Sequence, residues 1–474
     1  MYEPALWFAL PKGGVGIDYT RGDLPYEDYI AHFDERLRKY IPSPGEWTPV
    51  DDALFSPPDL YTVAPDEATK LQLAALQYSF AHHYEHNDLY RSYCQQYGMA
   101  PADIRTEHDL ARIPLISDAF FKNHPEGREF ATWLGSIFTG KLPTVVIEQQ
   151  HPNCDQVVNA FNAAGMVVSY SSGTGGRHTF IPRDRRTFNN AEYALAKCIL
   201  AMSCGRWIDR SETYLLMPDP RINTIYAGKS TEIMFDLLGD MKVGIKQSLS
   251  LNLIGMVMGN RGGFKGTLVR LAGRRRSRRM IDDVIKWLEE RQESPDFTFL
   301  CGAPYLLHAV LTELTRRNKR FEFGERGGVV TGGGWKIREN QRLPLTEFRQ
   351  AVFDVLGIPG RYCLDIYGMV ESNGWMVQCP EGHYLHVPYT YFKPLVFDTE
   401  QKPLPYGEWG RFGFLDAAAL SYPGFILTGD TARILERCPT CDRPGPVLDP
   451  EVKRAASQED RGCAVEVRRL FSSD

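Results

Sequence analysis

Residues 165–177 read Gly-Met-Val-Val-Ser-Tyr-Ser-Ser-Gly-Thr-Gly-Gly-Arg. An apolar run ends at Tyr170, hydroxyls and glycines then crowd together, and Arg177 closes the stretch with a cation. Glycines let backbone N–H groups approach an anion, and hydroxyls add donors, so Ser171, Ser172, Gly173, Thr174, Gly175, Gly176 and Arg177 form a candidate phosphate cradle. A surface loop with accidental glycines would share this composition, so its neighbours must decide. Working outward, the order of apolar strand, glycine-bearing turn and helix recurs in DFTFLCGAPYLLHAVLTEL (296–314), GGVVTGGGWK (327–336) and RYCLDIYGMVES (361–372). Strands alternating with helical segments predict an α/β fold, in which ligands sit where strand ends meet glycine-rich turns. Upstream, helical spacing over Asp66–Tyr97 predicts an amphipathic helical region. IPLISDAFFK (113–122) reads as a short extended piece running into a helix.

Composition narrows the classes. A chain of 474 residues exceeds one ordinary hydrophobic core, so two or three units are expected. A formal net charge of −5 argues against nucleic acid as a partner. LNLIGMVMG (251–259) is too short to span a bilayer, and Glu3 stands where a secretory leader would be basic. With ten scattered cysteines, a cytoplasmic protein with reduced thiols is expected.

The loop is not a Walker A motif. The nearest candidate, Asn223-Thr224-Ile225-Tyr226-Ala227-Gly228-Lys229-Ser230, has Asn where the first glycine is required. Three further motifs instead follow in order: Gly332-Gly333-Gly334-Trp335-Lys336, Tyr367-Gly368-Met369-Val370-Glu371 and Leu427-Thr428-Gly429-Asp430. Together with the serine/glycine loop, they resemble the nucleotide-binding motifs of adenylate-forming enzymes. IPLISDAFFK, GGGWK and Arg461-Gly462-Cys463 look like the acyl-protein synthetase (LuxE-type) branch, with phenylacetate–CoA ligases as further relatives. The likeness covers roughly residues 66–466.

The resemblance implies ATP and Mg²⁺ as cofactors and assigns roles. Residues 171–177 would hold the β/γ-phosphates. Gly332, Gly333 and Gly334 would give a flat wall to adenine or acyl adenylate. Tyr367, beside Gly368, would stack on adenine; Glu371 would help hold Mg²⁺; Asp430 would accept hydrogen bonds from the ribose. The chain departs from the pattern at Gly175 (usually Thr), Arg177 (usually Lys) and Val370 (usually Thr). The C-terminal domain of about a hundred residues that carries an adenylation lysine has no room in the 44 residues after Asp430. Lys336 is the first substitute for that cation, with Lys453 as its rival.

Cys438-Pro-Thr-Cys441 has the spacing of a zinc knuckle, and Cys379 with His383 or His386 offers the complementary pair. A similar pattern in some phenylacetate–CoA ligases favours His386, so the expected Zn²⁺ ligands are Cys379, His386, Cys438 and Cys441. Ordinary buried thiols are the alternative. His82, His83 and His86 read as helix residues rather than a metal site. The run Arg274–Arg279 reads as a solvated helix face, or else as a docking face for an acidic carrier or CoA.

The expected architecture is an irregular lead-in (1–65), a large adenylating α/β domain (66–428) and a shortened C-terminal subdomain (429–474). The expected reaction joins a fatty or aryl carboxylic acid to AMP and passes the acyl group to a thiol. Candidate acceptors are Cys463 itself, a partner enzyme, a carrier protein or CoA. A CoA ligase and a non-catalytic nucleotide-binding protein are the competing readings.

Overall fold

A computed structural model describes residues 26–171, 178–203, 211–238, 240–251 and 264–454. Within the expected lead-in lie helices Tyr26–Arg36 and Pro49–Phe55. The second is started by a capping box: the Thr48 hydroxyl accepts from Asp51 N while Asp51 accepts from Thr48 N. The amphipathic region beyond is two helices, Pro65–His86 and Asp88–Gln96, split at Asn87. The Asn87 carboxamide accepts from Tyr90 N and donates to Ile137 O, so it caps one helix and ties it to the next layer.

Strand β1 (Ile116–Ser117) is followed by a separate hairpin of β2 (Val167–Tyr170) and β3 (Phe180–Arg183). The large sheet begins with β4 (Ser211–Pro218), β5 (Asp240–Ile245), β6 (Phe297–Gly302), β7 (Gly327–Gly332) and β8 (Cys363–Tyr367). These five pair in parallel in the order β5-β4-β6-β7-β8. The apolar runs of β4, β6 and β7 suit burial on both faces, whereas β5 leaves Asp240 and Lys242 exposed. The antiparallel half comprises β9 (Met376–Gln378), β10 (Leu385–His386), β11 (Phe392–Phe397), β12 (Trp409–Asp416), β13 (Phe425–Leu435), β14 (Val447–Leu448) and β15 (Lys453–Arg454). It continues the same 13-stranded sheet as β8-β9-β10-β14-β13-β12-β11, with β1 and β15 each pairing with β13. The α/β class expected from the sequence is thus observed, and β13 runs unbroken across residues 428–429, where the C-terminal subdomain was expected to begin.

Helices Phe264–Gln292, Pro304–Arg316 and Leu345–Leu356 cover one face of the parallel strands, around Tyr214, Leu300, Trp287 and Trp335. The other face lies under helix Arg185–Ser203, buried along nearly its whole length. Helix Pro65–His86 is fastened to the antiparallel half by Gln72, whose amide donates to the carbonyls of Tyr389 and Phe392. Among the described residues, no helix is long and apolar enough to cross a membrane.

Candidate active site

The serine/glycine loop is the connection between β2 and β3. Its neck is closed at Ser171: the amide donates to Thr179 O, the hydroxyl accepts from Thr179 N at 2.9 Å, and the carbonyl lies 2.7 Å from His178 Nδ1. Ser172, Gly173, Thr174, Gly175, Gly176 and Arg177 lie outside the described residues. The neck of the loop therefore lies at one end of the hairpin, just before β3 begins.

The triple glycine ends β7. Gly333 (φ 82°) and Gly334 (φ 67°) adopt the left-handed region, which glycine enters without strain. A Cβ at Gly334 would meet nothing within 4 Å, so backbone conformation, not crowding within the fold, is what selects glycine there. Trp335 anchors the turn by packing against His308 and Phe348. Lys336 opens the 3-10 turn that follows, and its side chain lies outside the described ones.

Tyr367 ends β8, and its hydroxyl donates to Asp430 Oδ2 at 2.7 Å. Gly368 is required by close approach, since a Cβ would lie 2.6 Å from the Trp375 ring. The turn through Glu371 is clamped by buried Arg183 of β3. Its guanidinium donates to Val370 O, the Asn373 side chain, the Ser169 hydroxyl and Tyr422 OH. One arginine thus locks the strand leaving the serine/glycine loop to the turn that carries Glu371. Glu371 is 5% exposed; burial, then the charge of Asp118, pushes its carboxyl up to about 7, while Lys122 and the Thr179 hydroxyl pull it back.

Thr428-Gly429-Asp430 forms an irregularity within β13. Across the ladder, Arg411 pairs with Thr431 and Gly413 with Leu427, so Phe412 alone opposes three residues of β13. Such a bulge re-aims side chains. The Thr428 hydroxyl fixes it by donating to Phe412 O and accepting from Asp430 N. Asp430 is turned toward Tyr367, and burial raises its pKa.

Two residues at this end escaped functional assignment from the sequence. β1 pairs in parallel with β13, Ser117 opposite Leu427, so the helix Asp118–Lys122 starts beside the bulge and packs against β13 and β3. Asp118 and Lys122 form an ion pair there and act electrostatically on both Glu371 and Asp430. Their segment was singled out in the sequence, but only three-dimensional pairing reveals its neighbours.

The cysteine/histidine set comes together. One ligand atom from each of Cys379, His386, Cys438 and Cys441 lies within 4.8 Å of all the others. Zn–S bonds of about 2.3 Å and Zn–N of about 2.05 Å require tetrahedral edges of about 3.8 Å for S···S and about 3.6 Å for S···N. Cys379 Sγ and Cys438 Sγ are 3.9 Å apart, and Cys441 Sγ and His386 Nε2 are 3.4 Å apart. Hydrogen bonds from Cys379 and then Cys441 drive the Cys438 thiol toward ionisation; those of Cys379 and Cys438 hold the proton on Cys441. His383 faces elsewhere, with Nε2 3.0 Å from Gly360 O.

The other candidates are placed as follows. Lys453 sits over Trp409 and 3.8 Å from Glu451; in the β13–β15 ladder it pairs with Thr431, while Arg454 pairs with Asp430. Cys463 lies outside the described residues. Buried His83 bonds Thr139, and His82 bonds Leu420 O. Arg275, Arg276, Arg278 and Arg279 lie exposed on their helix.

The geometry can be set beside known proteins. The 2-hydroxyisobutyryl-CoA ligase, crystallised in an open conformation with 2-HIB-AMP and CoA, superposes with a TM-score of 0.57 at 15% identity, covering 90% of this chain and 84% of that one. The same ligase in its postadenylation state with 2-HIB-AMP gives 0.57 at 14% identity over 93% and 80%. The chain therefore shares its fold with that CoA ligase. The long-chain-fatty-acid–luciferin-component ligase of Vibrio harveyi is 24% identical over 90% of this chain and 94% of its own length. Its namesake from Aliivibrio fischeri is 23% identical over 90% and 95%. The family described as acyl-protein synthetase, LuxE, matches residues 46–160 and 280–472, well over half of the chain, and the protein belongs to that family.

Proposed function

We propose that this protein activates a long-chain fatty acid with MgATP as acyl-AMP and then passes the acyl group to a thiol. The observation that carries the reading is the meeting of Tyr367, Asp430, Glu371 and the neck of the serine/glycine loop at one end of the sheets. The names of both relatives favour a long-chain fatty acid over an aryl acid.

In this reading residues 171–177 cradle the β/γ-phosphates through backbone N–H groups and hydroxyls. The turn Gly332–Gly334 offers a flat backbone wall to the nucleotide, and Tyr367 stacks on adenine beside Gly368. Asp430 exchanges part of its bonding to Tyr367 for the ribose hydroxyls. Glu371, buried beside the Asp118–Lys122 pair, would be a ligand for Mg²⁺ together with phosphate oxygens. Carboxylate oxygen then attacks the α-phosphorus, and the bond to the β-phosphate oxygen breaks with its electron pair leaving on pyrophosphate. Lys336 remains a candidate cation for that step, and Cys463 a candidate acceptor; a partner enzyme, a carrier protein or CoA are the alternatives. Cys379, His386, Cys438 and Cys441 hold one structural Zn²⁺, which fits the reduced thiols of a cytoplasmic enzyme.

A pyrophosphate-exchange screen across fatty, aryl and amino acids tests the reading. Exchange that depends on a long-chain acid is expected; ATP binding without exchange for any acid would make the chain a nucleotide-binding protein only.

A further inference from the structure

The bulge of β13 gathers more negative charge than the nucleotide motifs explain. Asp118, Glu371 and Asp430 gather there, and the helix Asp118–Lys122 places the ammonium of Lys122 among them. Its partner Asp118 is buried, with a side chain only 8% exposed, while Lys122 is 29% exposed and so open to the site. One oxygen of Asp118 takes the lysine; the other, Oδ1, is buried with no hydrogen-bond partner. A helix-surface ion pair four residues apart stabilises little, and water would screen it. Sinking its carboxylate into the fold with one oxygen unsatisfied is costly unless a cation or donor arrives there. Asp118 therefore presents an unfilled acceptor beside Glu371, and Lys122 a cation that can be released when that acceptor is filled.

We propose that Lys122 is a catalytic residue of acyl adenylation, leaving Asp118 when MgATP binds and contacting the phosphate oxygens as pyrophosphate departs. Asp118 and Glu371 would hold Mg²⁺, whose charge would offset theirs, and the Lys122 ammonium exchanges its carboxylate partner for a phosphate one. In the step, a carboxylate oxygen of the acid forms the new bond to the α-phosphorus. The bond from that phosphorus to the bridging β-phosphate oxygen breaks, and its electron pair leaves with pyrophosphate. No proton is transferred, and Lys122 stays protonated throughout, stabilising charge that grows on the leaving oxygen. Lys453 cannot share this position. Neighbouring residues of a strand point to opposite faces, so it lies opposite the side that turns Arg454 to Asp430, and it rests on Trp409.

The assignment rests on the adenylation reading above, and its test separates the two. ATP–pyrophosphate exchange with a long-chain fatty acid is measured for the wild type, Lys122→Met and Lys122→Arg, alongside the consumption of synthetic acyl-AMP on adding a thiol. Lys122→Met is expected to lose roughly 100-fold in exchange, with Lys122→Arg recovering part of it, while both variants consume acyl-AMP at the wild-type rate. Exchange by Lys122→Met within about threefold of wild type overturns the assignment and leaves the adenylation reading standing. Equal loss of both half-reactions overturns it too, because Lys122 then only supports the fold. A wild type with no acid-dependent exchange overturns both.

Discussion

Replacing Cys438 by serine tests the zinc clasp where its geometry is most explicit. Cys438 lies between Cys379, 3.9 Å away, and the hydroxyl of Thr440, 3.2 Å away. Its neighbours arrive from two places: Cys379 and His386 from the β9–β10 hairpin, Cys438 and Cys441 from the connection between β13 and β14. A metal here would fasten the hairpin that follows the Glu371 turn to the strand carrying Asp430. Structural zinc in small proteins contributes about 10–16 kcal/mol at neutral pH, so an even share over four ligands is about 2.5–4 kcal/mol, or roughly two to three orders of magnitude in affinity. Serine keeps the shape but not the thiolate, and the remaining three ligands should release zinc to a mild chelator. Metal analysis of protein purified without added metal should give about one zinc per chain for the wild type and far less for Cys438→Ser. Thermal unfolding of the variant should shift down by several degrees and lose its sensitivity to chelator. His383→Ala should keep the metal and His386→Ala should lose it, because His383 is engaged with Gly360 O. A wild type without metal, or the opposite behaviour of the two histidines, refutes the clasp.

Four further outcomes are expected. Glu371 must be ionised to hold Mg²⁺; with its pKa raised to about 7 by burial and Asp118, kcat/KM for ATP should fall about tenfold per unit as pH drops below that value, and Glu371→Gln should flatten the profile. In the unliganded protein the same group is protonated when folded but ionised when unfolded between its ordinary 4.5 and about 7, so its contribution to stability should decline as pH rises through that window, a slope absent from Glu371→Gln in thermal melts. Gly368→Ala should cost about 1–3 kcal/mol and weaken ATP binding, since its Cβ would strike Trp375, which is held by stacking on Tyr226 and a bond to Ala191 O; an unchanged melting temperature contradicts this. Intact-mass spectrometry after incubation with MgATP and a long-chain acid should show a hydroxylamine-labile adduct that vanishes in Cys463→Ser; adenylate without adduct gives the acceptor role to an external thiol.

Local sequence carried much of this account because its signals are short in range. Glycine-bearing turns after apolar strands announced the parallel half, and the Cys-x-x-Cys spacing announced the knuckle that His386 and Cys379 complete. Other features depend on pairing that no local pattern records. The helical region from Asp66 is split at Asn87, which accepts from Tyr90 N and donates to Ile137 O, a contact that no local pattern records. The bulge that turns Asp430 toward Tyr367 is defined by β12, a strand distant from the Tyr367 motif. Asp118 and Lys122 read as an ordinary helix start until the parallel pairing of Ser117 with Leu427 carries them to the site. Arg183, which clamps the Glu371 turn, sits in a strand with no distinguishing motif.

Acyl-AMP formation beside the bulge of β13 is tested most directly by watching the adenylate appear. Wild-type protein and Asp430→Ala, incubated with α-labelled ATP, Mg²⁺ and a long-chain fatty acid, are quenched and separated for labelled acyl-AMP. The account predicts acid-dependent acyl-AMP from the wild type. Asp430→Ala, which leaves the ribose hydroxyls without their charged partner, should lose about 1–3 kcal/mol of nucleotide binding and form far less product at limiting ATP. Equal acyl-AMP from both proteins, or none from the wild type with any acid, would contradict it.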